Sequence, residues 1–159
     1  MLVECGLLTV ERKGRFRWYA VRCQEVLQLA VLLRTTAETL FGAPQTDVKD
    51  ELSLSEGLSL ARQGKLQLID VRPLEEFQSG HLAGALSMPL ASLSETISQL
   101  NSETPAAAYC RSPYCFLARQ AQEIFAKHGK TLYVLSDGVQ DWKASSPELL
   151  TISTDSEES

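Results

Sequence analysis

Apolar and polar positions change period along this chain, and the changes divide it into elements. Leu7 to Arg12 and Arg15 to Val21 have strand-like composition, with Lys13-Gly14 between them. In the second run apolar and basic side chains alternate and the glycine supplies a turn, so a β-hairpin is predicted. From Glu25 to Phe41 the period becomes helical, and Val26, Leu27, Leu29, Ala30, Leu33 and Leu40 cover more than one stripe. A helix that is apolar on most sides needs burial on several faces. One hairpin cannot supply that, so a partner chain is implied. Gly42 to Asp47 ends the helix and reads as a linker, with the boundary near residue 46.

Beyond the linker, strands and helices alternate. Strands are expected over Leu66–Val71, Ala85–Met88, Ala106–Tyr109 and Thr131–Leu135. Helices are expected over Ser55–Gln63, Leu74–Ser79, Ser92–Leu100, Tyr114–His128 and Gly138–Lys143. Pro73 suits a first helical turn, and Ser92 with Glu95 has the spacing of a capping box. This alternation predicts an α/β sandwich around a mainly parallel sheet. Such folds bind ligands at the carboxyl ends of their strands. Cys110 stands at one such end, directly before a helix. Backbone amides converging there, together with the helix dipole, favour a thiolate or an anion built on the sulfur. The competing reading is a small, inert core thiol.

Composition narrows the picture. The 159 residues carry a net charge of −5, which gives no general case for nucleic acid or a membrane surface. The charge is uneven. Arg12, Lys13, Arg15, Arg17 and Arg22 cluster early, while residues 147–159 hold four acids and no base, the pattern of a disordered acidic tail. No stretch approaches a membrane span, and the apolar run Leu2 to Val10 is interrupted by Glu4. A cytoplasmic location is expected. Cys5, Cys23, Cys110 and Cys115 form no disulfide framework, and His81 and His128 lack zinc-finger spacing from any cysteine pair. Neither a metal nor a cofactor is expected. Cys5 and Cys23 read as structural.

Four segments stand in order: Ile69-Asp70-Val71-Arg72-Pro73 with Glu75-Glu76-Phe77, Gly80-His81-Leu82-Ala83-Gly84-Ala85, Cys110-Arg111-Ser112, and Asp137-Gly138-Val139-Gln140-Asp141-Trp142. Together they resemble the rhodanese-like domain family over about residues 50 to 146. The resemblance implies a three-layer fold and sulfur transfer. Cys110 would attack a donor such as thiosulfate, become a persulfide, and pass the sulfur to an acceptor thiol. Arg111 is read either as steering an anionic donor or as a solvated surface residue. Asp70 and Arg72 match the family's Asp-Val-Arg, where a carboxylate–guanidinium pair supports the strand end. Glu76 and His81 belong with that scaffold, and a general-base role for His81 is the minor alternative.

The loop Cys110-Arg111-Ser112-Pro113-Tyr114-Cys115 departs from the commonest family pattern, which has Gly at 113 and Arg at 115. Pro113 removes an amide donor, and the missing Arg weakens anion recognition. Cys115 supplies a second thiol that either resolves an oxidised or persulfidated Cys110 as a disulfide or packs at the helix start. Phe116 stands where a phosphatase-type loop needs Arg.

Cys5 to Val21 resembles the wing of an ArsR-type winged-helix repressor, and Glu25 to Phe41 resembles that family's dimerisation helix. ArsR–rhodanese fusions often carry Cys-Arg-Gly-Pro-Tyr-Cys, and Ser112 replaces that Gly here. The helices that precede the wing, including the one that reads the major groove, have no counterpart before Leu2, which makes the segment an N-terminally truncated winged helix or a relic serving dimerisation. The expected organisation is a partial winged helix over 1–45, a rhodanese-like domain over 46–146 and the acidic tail over 147–159. The expected activity is sulfur transfer on Cys110. The alternative is a non-catalytic redox- or sulfur-sensing module of a regulator. The expected partners are a small sulfur donor, a thiol acceptor and a second copy through residues 25–41, with only weak, non-specific DNA binding.

Overall fold

The computed structural model describes residues 1–42 and 50–152. The predicted linker falls almost wholly on residues 43–49, outside that range. The hairpin forms from β1 (Leu8–Lys13) and β2 (Phe16–Val21), paired antiparallel with Lys13 opposite Phe16. The two-residue turn is therefore Gly14-Arg15, one position later than predicted, and Gly14 takes the positive φ of 61° that such a turn requires. Helix α1 (Gln24–Phe41) follows.

The second unit contains β3 (Glu51–Leu52), α2 (Leu54–Arg62), β4 (Gln67–Asp70), α3 (Leu74–Gln78), β5 (His81–Leu82) and β6 (Leu86–Ser87). It continues with α4 (Leu93–Thr96), β7 (Ala106–Tyr109), α5 (Phe116–Lys127), β8 (Leu132–Leu135), α6 (Val139–Ser145) and β9 (Leu150–Thr151). The five-stranded sheet runs β3-β8-β7-β4-β6, with every pair parallel. Alternation along β7 explains the layers. Ala106 and Ala108 face a cluster with Leu93, Ala121 and Phe125 from α4 and α5, whereas Ala107 and Tyr109 face Val139 and Trp142 of α6 and Leu58 of α2. The three alanines let helices lie close on both faces of the central strand.

Three expectations change. The second unit's first helix starts at Leu54 because Ser53 caps it: its Oγ accepts from Glu56 N (3.3 Å) while Ser53 N donates to Glu56 Oε2 (3.3 Å), a full capping box. The helix expected over Ser92–Leu100 breaks into a short α-turn flanked by 3₁₀ turns. Ser92 does not cap it, because its hydroxyl donates back to Pro89 O (3.3 Å). The tail does not become irregular at Pro147. Pro147–Leu149 form a 3₁₀ turn and β9 pairs antiparallel with β5, His81 opposite Thr151. Leu149 and Leu150 pack on the Tyr109–Trp142 cluster, and this apolar packing outweighs the acidic composition that suggested disorder. Residues 153–159 lie outside the described range.

Candidate active site

Cys110 closes β7 and is only 3% exposed, among apolar residues of the α4–α5 side. Its sulfur is bonded to that of Cys115, with the two Cα atoms 6.2 Å apart. Cys115 is half-buried and is the N-cap residue of the twelve-residue α5, which has no side-chain cap. The pair thus sits where the unpaired first-turn amides and the positive end of the helix dipole are concentrated.

The loop is held by backbone bonds. Val139 N donates to Cys110 O (3.0 Å), Gln140 N donates to Arg111 O (2.9 Å), and Cys115 N donates to Ser112 O (3.1 Å). The first turn of α6 therefore spends its amides on loop carbonyls. Gly138, just ahead of α6, makes that approach possible: a methyl group there would meet the Arg111–Ser112 peptide well inside van der Waals distance. The Asp137–Trp142 segment was legible as a motif, but the close approach that requires glycine at 138 was not.

Arg111 is part-exposed but is not a free cation. Its guanidinium lies on the Glu76 carboxylate of α3, with Nε donating to Oε2 (2.9 Å) and Oε1 (3.2 Å) and Nη2 completing the pair, and Nη1 is 4.0 Å from Cys115 Sγ. Asp70 and Arg72 form a buried pair at the end of β4. Arg72 Nη2 donates to Asp70 Oδ2 (2.6 Å) and to Gly80 O (2.8 Å), and Arg72 N donates to Asp70 Oδ1 (3.0 Å). The pair ties the end of β4 to the turn before β5. Tyr109, opposite Asp70 in the sheet, accepts from Leu82 N (3.1 Å), and burial raises its phenol pKa, helped by the Asp70 charge. His81 stacks on Phe77 and its Nδ1 bonds Phe77 O (2.9 Å), so its ring serves the scaffold and not the loop.

Tyr114 and Pro113 form the outer rim of the loop. The Tyr114 hydroxyl donates to Glu38 Oε1 of α1 (2.8 Å). Glu38 pairs with Arg34 (2.7 Å), and Arg34 in turn lies over the Tyr114 ring and pairs with Asp141 of α6. Asp141 Oδ2 accepts from Gly138 N (3.2 Å); burial pushes this carboxyl up and Arg34 opposes the shift. Sequence reasoning missed Arg34, Glu38 and Asp141 as neighbours of the loop. Nothing local marks them, because an i,i+4 Arg–Glu pair on a helix is an ordinary surface feature. Cys5 and Cys23 are exposed free thiols. Among the described residues no cluster of His, Cys, Asp or Glu is arranged to hold a metal, and no helix is long and apolar enough to cross a membrane.

The parallel α/β sheet thus delivers a cysteine from its central strand to the loop that precedes α5. The rhodanese-like domain family matches residues 53–145, and this chain belongs to it. It is 30% identical over 149 residues to the HTH-type transcriptional regulator Rv0324 of Mycobacterium tuberculosis, covering 87% of this chain and 64% of that protein. That share exceeds the rhodanese region alone, so the likeness extends N-terminal to it, across α1. The chain is also 29% identical over 99 residues to the thiosulfate sulfurtransferase GlpE of Coxiella burnetii, covering 61% of this chain and 90% of that one. A crystal structure of a rhodanese-related protein from Thermoplasma volcanium superposes with a TM-score of 0.57 at 17% identity, covering 66% of this chain and all of that one, a likeness of fold.

Proposed function

We propose that the reduced chain carries sulfur as a persulfide on Cys110. The observation that supports this best is the placement of Cys110 at the end of the central strand, in a loop held by α6, with α5 pointing its N-terminus at the same place. A thiolate there attacks the outer sulfur of thiosulfate, forming the sulfur–sulfur bond of the persulfide as sulfite leaves. Oriented amides stabilise both anions. An acceptor thiolate then takes the terminal sulfur and returns the Cys110 thiolate. Cys115 offers a second exit: its thiolate attacks the Cys110 sulfur, closes the Cys110–Cys115 disulfide and expels hydrosulfide. A thiol reductant reopens the disulfide. Intact-mass spectrometry of the reduced chain after thiosulfate or a persulfide donor tests this. One added sulfur is expected, absent in Cys110→Ala and longer-lived in Cys115→Ser. No adduct with any donor overturns it.

A second reading, a redox- or sulfur-sensing module of a regulator, is favoured by one feature: the rim residue between the two cysteines is bonded to α1 through Tyr114 and Glu38. Oxidant-driven disulfide closure without turnover distinguishes it from the enzyme. In either reading α1 joins two copies through its uncovered apolar face, where Leu33 is 70% and Phe41 85% exposed. Light scattering is expected to give a dimer at micromolar concentration, and Leu33→Glu a monomer. DNA binding by the basic hairpin is weak, salt-sensitive and non-specific; tight binding of one operator in a gel-shift assay overturns that.

A further inference from the structure

A cavity of about 490 Å³ lies between the two units, with Arg111 in its lining. Its volume is that of a small-molecule site, about 300–1,000 Å³. One wall presents three cations, Arg72, Arg111 and Lys143, with Glu76 as its single carboxylate. The other presents Tyr19 and Leu27 and no acid. The two arginines are already engaged, Arg72 by Asp70 and Arg111 by Glu76. Lys143 is half-buried and has no hydrogen-bond acceptor or ion-pair partner among the described residues. Burial first, then the positive charge of Arg72, lowers its pKa, and Glu76 opposes them. A partly dehydrated ammonium beside a guanidinium is a cost that a bound anion relieves. An inorganic anion would leave the apolar wall wet.

We infer that this cavity binds a small organic anion, its carboxylate-sized head held by Lys143 and its apolar body against Tyr19 and Leu27. The site uses neither Cys110 nor Cys115, so it stands or falls apart from sulfur transfer. Arg111 nevertheless joins the two places, since the same guanidinium that lines the cavity reaches Cys115. The test is an NMR titration of the full chain with hexanoate, hexylamine and inorganic sulfate. Saturable amide shifts at Lys143, Tyr19 and Leu27 are expected with hexanoate and none with hexylamine. Affinity should fall at least about tenfold, or about 1.4 kcal/mol, in Lys143→Met, and comparably in Leu27→Trp, which fills the apolar wall. Lack of saturation with hexanoate, equal binding of hexylamine, sulfate binding as tightly as hexanoate, or unchanged affinity in both variants would overturn the inference.

Discussion

Residues 1–42 contain no buried residue, whereas residues 50–152 enclose two buried clusters on opposite faces of one sheet. The difference lies in how many elements can close on one another. A two-stranded hairpin exposes both faces and is marginal in water by itself, and α1 has apolar side chains on more sides than its neighbours cover. The hairpin and α1 borrow their order. Polar bonds tie α1 to the rhodanese unit: Gln28 Nε2 donates to Ala144 O (3.1 Å), and Arg34 and Glu38 bridge α6 and the loop rim. Its Leu29, Leu32, Leu33 and Leu40 stay exposed. A sheet with helices on both faces needs no such help, and the Cys110–Cys115 loop sits there.

The sharpest way to break this contrast is Asp70→Asn. It leaves the Arg72 guanidinium buried without its anion, a loss of about 3–5 kcal/mol. Urea unfolding should show the whole rhodanese unit destabilised, with α1 released from α6 in the same transition. A small effect would mean that this unit's core does not depend on its buried pair. Gly138→Ala comes next. Its methyl group forces the Arg111–Ser112 peptide away from α6, at a cost of about 1–3 kcal/mol. Sulfur loading should fall with it, since the loop loses its amide anchors; unchanged melting and loading would contradict the close approach.

Two smaller effects probe the seam between the regions. The folded-state pKa of Lys143 lies below the ordinary lysine value, so the unfolded chain holds this proton to higher pH. The charged amine therefore costs stability at neutral pH, and the cost falls away between the folded pKa and the ordinary lysine value. Lys143→Met should be more stable than the wild type at pH 7 by under about 1 kcal/mol, partial solvation reducing the gain. The advantage should shrink as the pH approaches 10.5. An advantage growing with pH would reverse the assignment. Smallest is Tyr114→Phe, which removes the hydroxyl bonded to Glu38, about 0.5–1.5 kcal/mol at most. Hydrogen exchange in the last turns of α1 should quicken while that in β7 stays unchanged. Equal changes in both would mean that the two regions unfold as one.

Much of the rhodanese unit was legible because its signals are local. Ala106 to Tyr109 is a short apolar run ending in a thiol, and the observed β7 has those bounds. Ser53 and Glu56 have capping-box spacing and form the box, a signal that the expected start at Ser55 overlooked. Ser92 and Glu95 have the same spacing and do not, because a hydroxyl has more than one acceptor within reach and the turn at Pro89 took it. The tail misled for another reason: charge describes solvation, but Leu149 and Leu150 had a surface to cover.

The alternation of strands and helices, and the place of Cys110 at the end of a strand, were legible in the chain's own periodicity, since alternation and helical spacing state which face each element must bury; that this strand is the middle one of the sheet was not. Which charges meet was decided only in three dimensions. Arg111 finds Glu76 across 35 residues, and Tyr114 finds Glu38 across 76. An exposed side chain in the sequence has many possible partners of opposite charge, and only the packing of the elements that carry them selects one.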